Sequence, residues 1–345
     1  MNIEKKGEGR IRVIIVMVMM MVMMGCNSGG GKDPEKVFLS DIANLGKGFL
    51  DVFVSFGDMI TGTLGIKAET KKSEIGKYFS DIADTMESVK NKLQTEVAKN
   101  RKYEKVKTVV DEFITGTLDR IATGAKEAAK GATTDAAIGN AKQNEDAVPG
   151  DIASVNSLVK GIKEIVGVVL KDNEGNAGAT KTGDTEKKSI GKLLGGKDND
   201  GTEAQAAAAS ASIGAVSGAD ILQAIAKSDA VSNDPKVETA KNAADIAAAK
   251  KEDQKEITVD EAKKDAVIAA GIALRAMAKD GKFVAKTGED KSAFAINGAV
   301  ASAVSKVLST LTIAIRNTVD EVLKEINKVL GEIKQGEGSV AKINE

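Results

Sequence analysis

Near the C-terminus ten apolar residues recur at steps of three or four: Val300, Val304, Val307, Leu311, Ile315, Val319, Val322, Ile326, Val329 and Ile333. Nine steps cover 33 residues, about 3.67 per step, close to the turn of an α-helix. A helix of about 40 residues rises about 60 Å. Such a rod with one apolar stripe needs partners of similar length. Two N-terminal runs have the same spacing: Phe38, Ile42, Leu45, Phe49, Phe53, Phe56, Ile60, and Ile75, Phe79, Ile82, Met86, Val89, Leu93, Val97. A third follows at Tyr103, Val106, Val110, Phe113, Leu118 and Ile121. Asp33-Pro34-Glu35 supplies an N-cap residue and a first-turn proline for the first run. The pattern predicts an all-α chain: an elongated helical bundle with long N- and C-terminal helices side by side and at most minor β.

Between these ends the chain changes character. Eight of the ten aromatic residues lie between Phe38 and Phe113, and none occurs from Ile114 to Lys282. Large rings dominate burial where they occur, so the two ends are expected to be the best-packed part. The middle, rich in Ala and Gly, must pack through small side chains. Helical patterns there run from Ile152 to Leu170, Glu203 to Lys227, Pro235 to Lys251 and Val259 to Lys279. Gly281 reads as a helix C-cap, followed by a short β-like stretch, Lys282–Lys286. Four polar stretches separate the helices: Gly131–Gly150, Lys171–Thr202, Ser228–Pro235 and Lys250–Thr258. They are the expected loops, with a turn at Val148-Pro149-Gly150.

The composition excludes much chemistry. The chain has no histidine and one cysteine, so neither the usual general base nor a Cys/His zinc site can be built. Asp198-Asn199-Asp200-Gly201-Thr202-Glu203 suggests a Ca²⁺ loop, but position 12 counted from Asp198 is Ala209 instead of the required Glu. It reads as a solvated loop leading into an N-cap. No serine sits in a nucleophile elbow. An enzyme using a carboxylate pair is the remaining catalytic possibility, and no pair stands out. No cofactor, metal or catalytic residue is expected.

The N-terminus has its own logic. Lys5, Lys6, Arg10 and Arg12 precede an unbroken apolar run, Val13–Met24, and then Gly25-Cys26. Positive start, short apolar segment and small residue at the cut describe a secretory signal. Twelve apolar residues are too few for a permanent span, which takes about 20. The segment resembles a bacterial lipoprotein signal, with Met23 where such signals usually carry Leu. The resemblance implies cleavage between Gly25 and Cys26 and acylation of Cys26. Residues 1–25 would then be the signal, and 26–34 the lipidated cysteine with a Gly-rich tether (Asn27–Pro34). The mature chain would carry 45 basic against 48 acidic groups, because the signal holds four of the 49 basic and two of the 50 acidic residues. A near-neutral chain with dispersed lysines argues against nucleic acid as a partner.

Three segments together resemble the variable large proteins, or variable major proteins, of relapsing-fever Borrelia. They are Gly25–Met59 (GCNSGGGKDPEKVFLSDIANLGKGFLDVFVSFGDM), Lys263–Lys286 (KKDAVIAAGIALRAMAKDGKFVAK) and Ala314–Leu330 (AIRNTVDEVLKEINKVL). The second is similar to the invariable antigenic segment of the Lyme spirochaete surface antigen. The resemblance implies a non-enzymatic lipoprotein of the outer membrane, exposed to host antibodies and varied by recombination from silent copies. On that reading residues 35–345 form one helical domain. Its scaffold is 35–130 and 290–335, and its variable, loop-rich, membrane-distal region is 131–289. Ile268–Met277 is expected to be buried. The alternative is an adhesin for a host matrix component, glycosaminoglycan or serum protein. A glycosaminoglycan adhesin would show a clustered basic face and salt-sensitive binding. Monomer and homodimer both remain open.

Overall fold

The computed structural model describes residues 65–99 and 104–340. The signal, Cys26, the tether, the first amphipathic run, Tyr103 and the side chain of Ile333 lie outside the described residues. Among the described residues the fold is all-helical, with two isolated β-bridges, Lys71 to Ala137 and Val148 to Lys282. The second is all that remains of the β-like stretch expected at 282–286.

Helix α1 (Lys72–Lys99) is the second amphipathic run. Its stripe from Ile75 to Leu93 is buried, and Val97 is partly covered. The third run becomes α2 (Glu104–Phe113), a π-helical turn (Ile114–Leu118) and α3 (Asp119–Ala129). The reason is visible in the spacing. Phe113 and Leu118 are five residues apart, which in a regular helix would turn Leu118 about 140° away from Phe113. The wider π turn brings both back to the core, where they are 3% and 0% exposed. Helix α4 (Ile152–Val169) starts at Asp151, whose carboxylate accepts from Ser154 N at 2.9 Å. It crosses α3 at two glycines. A Cβ on Gly124 would stand 2.7 Å from Gly161 O, and one on Gly161 would overlap Ala128 N and Gly124 O.

The middle departs from expectation in several places. Glu203–Lys227 is two helices, α6 (Glu203–Ala215) and α7 (Gly218–Ala226), bent by 96°. Ser217 ends the first by forming a capping box with Asp220, so its hydroxyl and backbone serve the second. Before them, α5 (Asp184–Ser189) and a 3₁₀ turn (Ile190–Leu194) occupy the stretch expected to be loop. Ile190, Leu193 and Leu194 are buried there. Pro235–Lys251 is not one helix. It contains a 3₁₀ turn (Val237–Thr239) and a six-residue α8 (Ala243–Ala248) that starts late because Asn242 caps it. Helix α9 (Asp265–Met277) stops at Ala278, so Gly281 is not its cap. Asp280, not the glycine, takes the left-handed conformation (φ 64°). A Cβ at Gly281 would collide with Arg275 O, which explains the glycine.

Among the described residues the middle, too, is tightly packed. Every residue of α9 except Val267 is buried, and α1, α4, α6, α7, α8 and the last helix surround it. Small side chains let backbones approach closely. A Cβ on Gly271 would lie 2.6 Å from Ile246 Cγ2. The last helix, α10 (Ser292–Val340, 49 residues), is the rod read from the sequence. Val300, Val304, Val307, Leu311, Ile315, Val319 and Ile326 are all buried. Its described neighbours are chiefly α6, α9 and α7, with α2 and α4 beyond. Helix α1 reaches it through Tyr78, whose hydroxyl lies 3.1 Å from Leu308 O and 2.7 Å from Thr312 Oγ1.

Candidate functional site

The polar stretches are tied together around the start of α10. Gln143 Nε2 donates to Glu289 O, and the Asn297 side chain bonds both backbone groups of Ala141. Lys197 N donates to Asp146, Thr287 N to Lys197 O, and Glu203 N to Glu289. Lys251 lies between Asp146 (3.6 Å) and Asp253 (3.1 Å). Ser228–Pro235 joins the same side through Lys250 N to Pro235 O and the Lys250–Asp234 pair. Only Lys171–Thr182 lies elsewhere, beside α7 and Glu321 of α10. The result is a polar end surface with Lys142, Asn144, Glu145, Asp198, Asn199 and Asp253 exposed on it.

Asp200 is the exception within that surface. Expected to be solvated, it is fully buried and accepts from Gly196 N (3.2 Å) and Gln254 N (2.7 Å). Thr202 caps α6, as the sequence suggested. Among the described residues no cluster of three His, Cys, Asp or Glu side chains could hold a metal.

Beneath the surface lies Lys263–Lys286. From Asp265 to Met277 it is interior, in line with the burial expected of Ile268–Met277. Two buried cations hold its C-terminal end. Arg275 donates through Nε to Lys282 O (3.0 Å) and through Nη1 to Ala247 O (3.1 Å) and Ala249 O (3.0 Å). Its guanidinium carbon stands 5.8 Å from the centre of the Phe283 ring. Lys72, from the first turn of α1, donates to Ala278 O (2.5 Å) and Gly281 O (2.7 Å). Both are 0% exposed. Burial, followed by the Arg275 charge, pulls the Lys72 ammonium down to about 7 despite Asp280. Burial alone brings Arg275 down to about 9. At the other end of α9, burial pushes Asp265 up, but hydrogen bonds from Ser212, Thr182 and Lys181 outweigh it and hold the carboxyl below its ordinary range. Neither cation was singled out from the sequence. Lys72 looks like a surface residue at a helix start, and Arg275 was placed in the interior with no partner named.

The comparisons agree with this arrangement. Residues 49–330 match the family model described as Borrelia lipoprotein. The chain is 61% identical to variable large protein 17 of Borrelia hermsii over 93% of its length and 92% of that protein's. It is 59% identical to variable large protein 4 of the same organism, over 93% of each. The crystal structure of the Lyme disease variable surface antigen VlsE of Borrelia burgdorferi superposes with a TM-score of 0.74 at 36% identity, covering 85% of this chain and 98% of that one. This is a family of variable surface antigen lipoproteins and not of enzymes. The chain, all-α among its described residues and closed around the buried helix at 265–277, belongs to the Borrelia lipoprotein family.

Proposed function

We propose that this protein is a lipid-anchored outer-surface antigen that presents a changeable polar end to host antibodies and keeps its shared segment inside. Cleavage before Cys26 and acylation of that residue attach it to the outer membrane. The tether and α10's far end then face the membrane, and the end surface faces outward. The observation that carries this reading is the segregation just described. Exposed polar residues of the four stretches gather mainly at the start of α10, whereas α9 is interior. Loop side chains on a surface contribute little to the core, so they can change without unfolding it.

Intact cells test it. Trypsin added outside should cut at exposed Lys142 and Lys251 and spare Arg275. Antibody raised to the 263–286 peptide should bind denatured protein and leave live cells unstained. Escape variants selected with serum against the whole protein should change exposed loop residues. Escape changes confined to buried helical faces would refute the shield. Intact mass showing an unacylated chain would refute the anchor.

A further inference from the structure

The stretch from Lys171 to Thr182, the one polar stretch apart from the end surface, runs over the N-terminal end of α9. Within it only Ala177 is buried, and Gly175, Ala179 and Thr182 are partly covered. Polar ties hold it instead of apolar burial. Two reach α7: Asn176 N donates to the Asp220 carboxylate (2.6 Å), and Gln223 Nε2 donates to Glu174 O (3.1 Å). Three converge on the buried carboxylate of Asp265: Lys181 N (2.5 Å), Thr182 N (3.0 Å) and Thr182 Oγ1 (2.6 Å). Thr180 Oγ1 accepts from Lys187 Nζ on α5 at 2.8 Å, and Lys171 stands 3.6 Å from Glu321 on α10. Beneath lie Ala266, whose backbone N–H donates to Ala179 O (3.1 Å), and Ser212, whose hydroxyl donates to Asp265 (2.6 Å). Both are 0% exposed. The stretch begins at Leu170, extended at the end of α4, and finishes at Gly183, extended before α5. A Cβ added to Gly183 would first meet the carboxyl group of Glu186, so this end is not wedged against the core.

We propose that residues 171–182 form a strap that opens as one piece while the helices stay folded, baring the start of α9. Opening gives up one buried alanine and exchanges hydrogen bonds within the protein for hydrogen bonds to water, each worth little on balance. Segments with few buried apolar contacts open far below the cost of global unfolding. Helix α9 need not follow, because Ile268, Ile272 and Leu274 are packed in the core and owe nothing to the strap's polar ties. Ala266 marks the boundary. It belongs to α9, but the acceptor of its N–H belongs to the strap, so that N–H meets water whenever the strap lifts. The loops of the end surface keep their own ties throughout, among them Asn297 to Ala141 and Glu203 to Glu289. The hidden segment thus has one place where it meets solvent without unfolding the molecule. This opening is a property of the fold and does not depend on the anchored antigen reading.

Native-state hydrogen exchange on the full chain, read residue by residue where it reports the opening equilibrium, tests this. The amides of Asn176, Lys181, Thr182 and Ala266 should share one opening. After correction for intrinsic rates they should exchange on the order of a hundredfold faster than that of Ala273, in the middle of α9. Gln223→Ala removes one tie from outside the strap and puts a strong helix former into α7. It should speed all four amides together, by about fivefold, and leave Ala273 unchanged. An effect on Asn176 alone, or an Ala266 amide that exchanges with Ala273, would show that the strap does not open as one piece and would overturn the proposal. So would an Ala273 amide that speeds up with the other four, because the opening would then be the unfolding of α9 itself.

Discussion

Lys72 is the most informative residue to change, because its cost is visible in pH alone. The substitution is Lys72→Met, which keeps the length and removes the ammonium. In the native protein burial and the neighbouring Arg275 charge set this group at about 7, against 10.5 for an ordinary lysine. Between these values the unfolded chain holds a proton that the folded chain has released. Stability therefore rises with pH across that window, by about 1.4 kcal/mol per unit. The contribution is complete above the unfolded value and wholly lost below about 7. From pH 7.5 to 9.0 the wild type should gain about 2 kcal/mol from this residue. The variant loses hydrogen bonds to two carbonyls, of which Gly281 O retains Asn140 Nδ2 as a donor. One stranded carbonyl costs about 1–3 kcal/mol. Urea denaturation of both proteins at pH 7.5, 8.25 and 9.0 reads the difference directly. The range stops at 9 because Arg275 lies there and Tyr78, pushed up to about 12, acts with the opposite sign at higher pH. The wild-type midpoint should climb more steeply than that of the variant. Parallel lines would mean that Lys72 stays charged when folded and that its burial carries no penalty.

Three further substitutions examine other parts of the fold. Gly161→Ala should destabilise by about 3 kcal/mol, read by thermal or urea unfolding, because the added methyl meets Ala128 N and Gly124 O across the α3–α4 crossing. Asp265→Leu should cost about 3 kcal/mol, since the donors Lys181 N and Thr182 N would face methyl groups with no acceptor. Hydrogen exchange at residues 180–183 should speed up in that variant, and the wild type should lose part of this stability as the pH falls through the ordinary carboxyl range. Cys26→Ser should release the protein from the membrane fraction without changing its melting temperature.

How much of this was legible in the sequence depends on side-chain size. The stripes of α1 and α10 use Val, Leu, Ile and Phe, and their spacing alone gave the buried residues from Ile75 to Leu93 and from Val300 to Ile326. The π turn was present too, as the five-residue step from Phe113 to Leu118. Alanine erases this signal. In α6 and α8 nearly every position is small, so no face is marked, and the bend at Ser217 and the short α8 could not be placed. The buried cations were hidden for another reason. Both bonds of Lys72 and two of the three from Arg275 go to carbonyls more than 20 residues away in sequence, which no local pattern records. The end surface was legible as four polar stretches, but their convergence depends on contacts such as Glu203 to Glu289.

The alanine-rich core also bears on why variation should collect at one end. In α9 backbones lie so close that Gly271 has no room for a methyl beside Ile246, and Ala269, Ala270, Ala273 and Ala276 are all fully buried. Enlarging any of them overpacks the core, at about 1–3 kcal/mol each. A domain holds only about 5–15 kcal/mol in total, so a few such changes unfold it. Exposed positions such as Lys142 or Asn199 cost within about 0.5 kcal/mol when replaced. A core of bulkier residues could absorb Leu for Met or Ile for Leu at small cost. One of alanines cannot, so natural variants that still fold should differ at the polar end and agree along α9. Two natural copies that differed freely within 265–277 and melted at the same temperature would contradict this account.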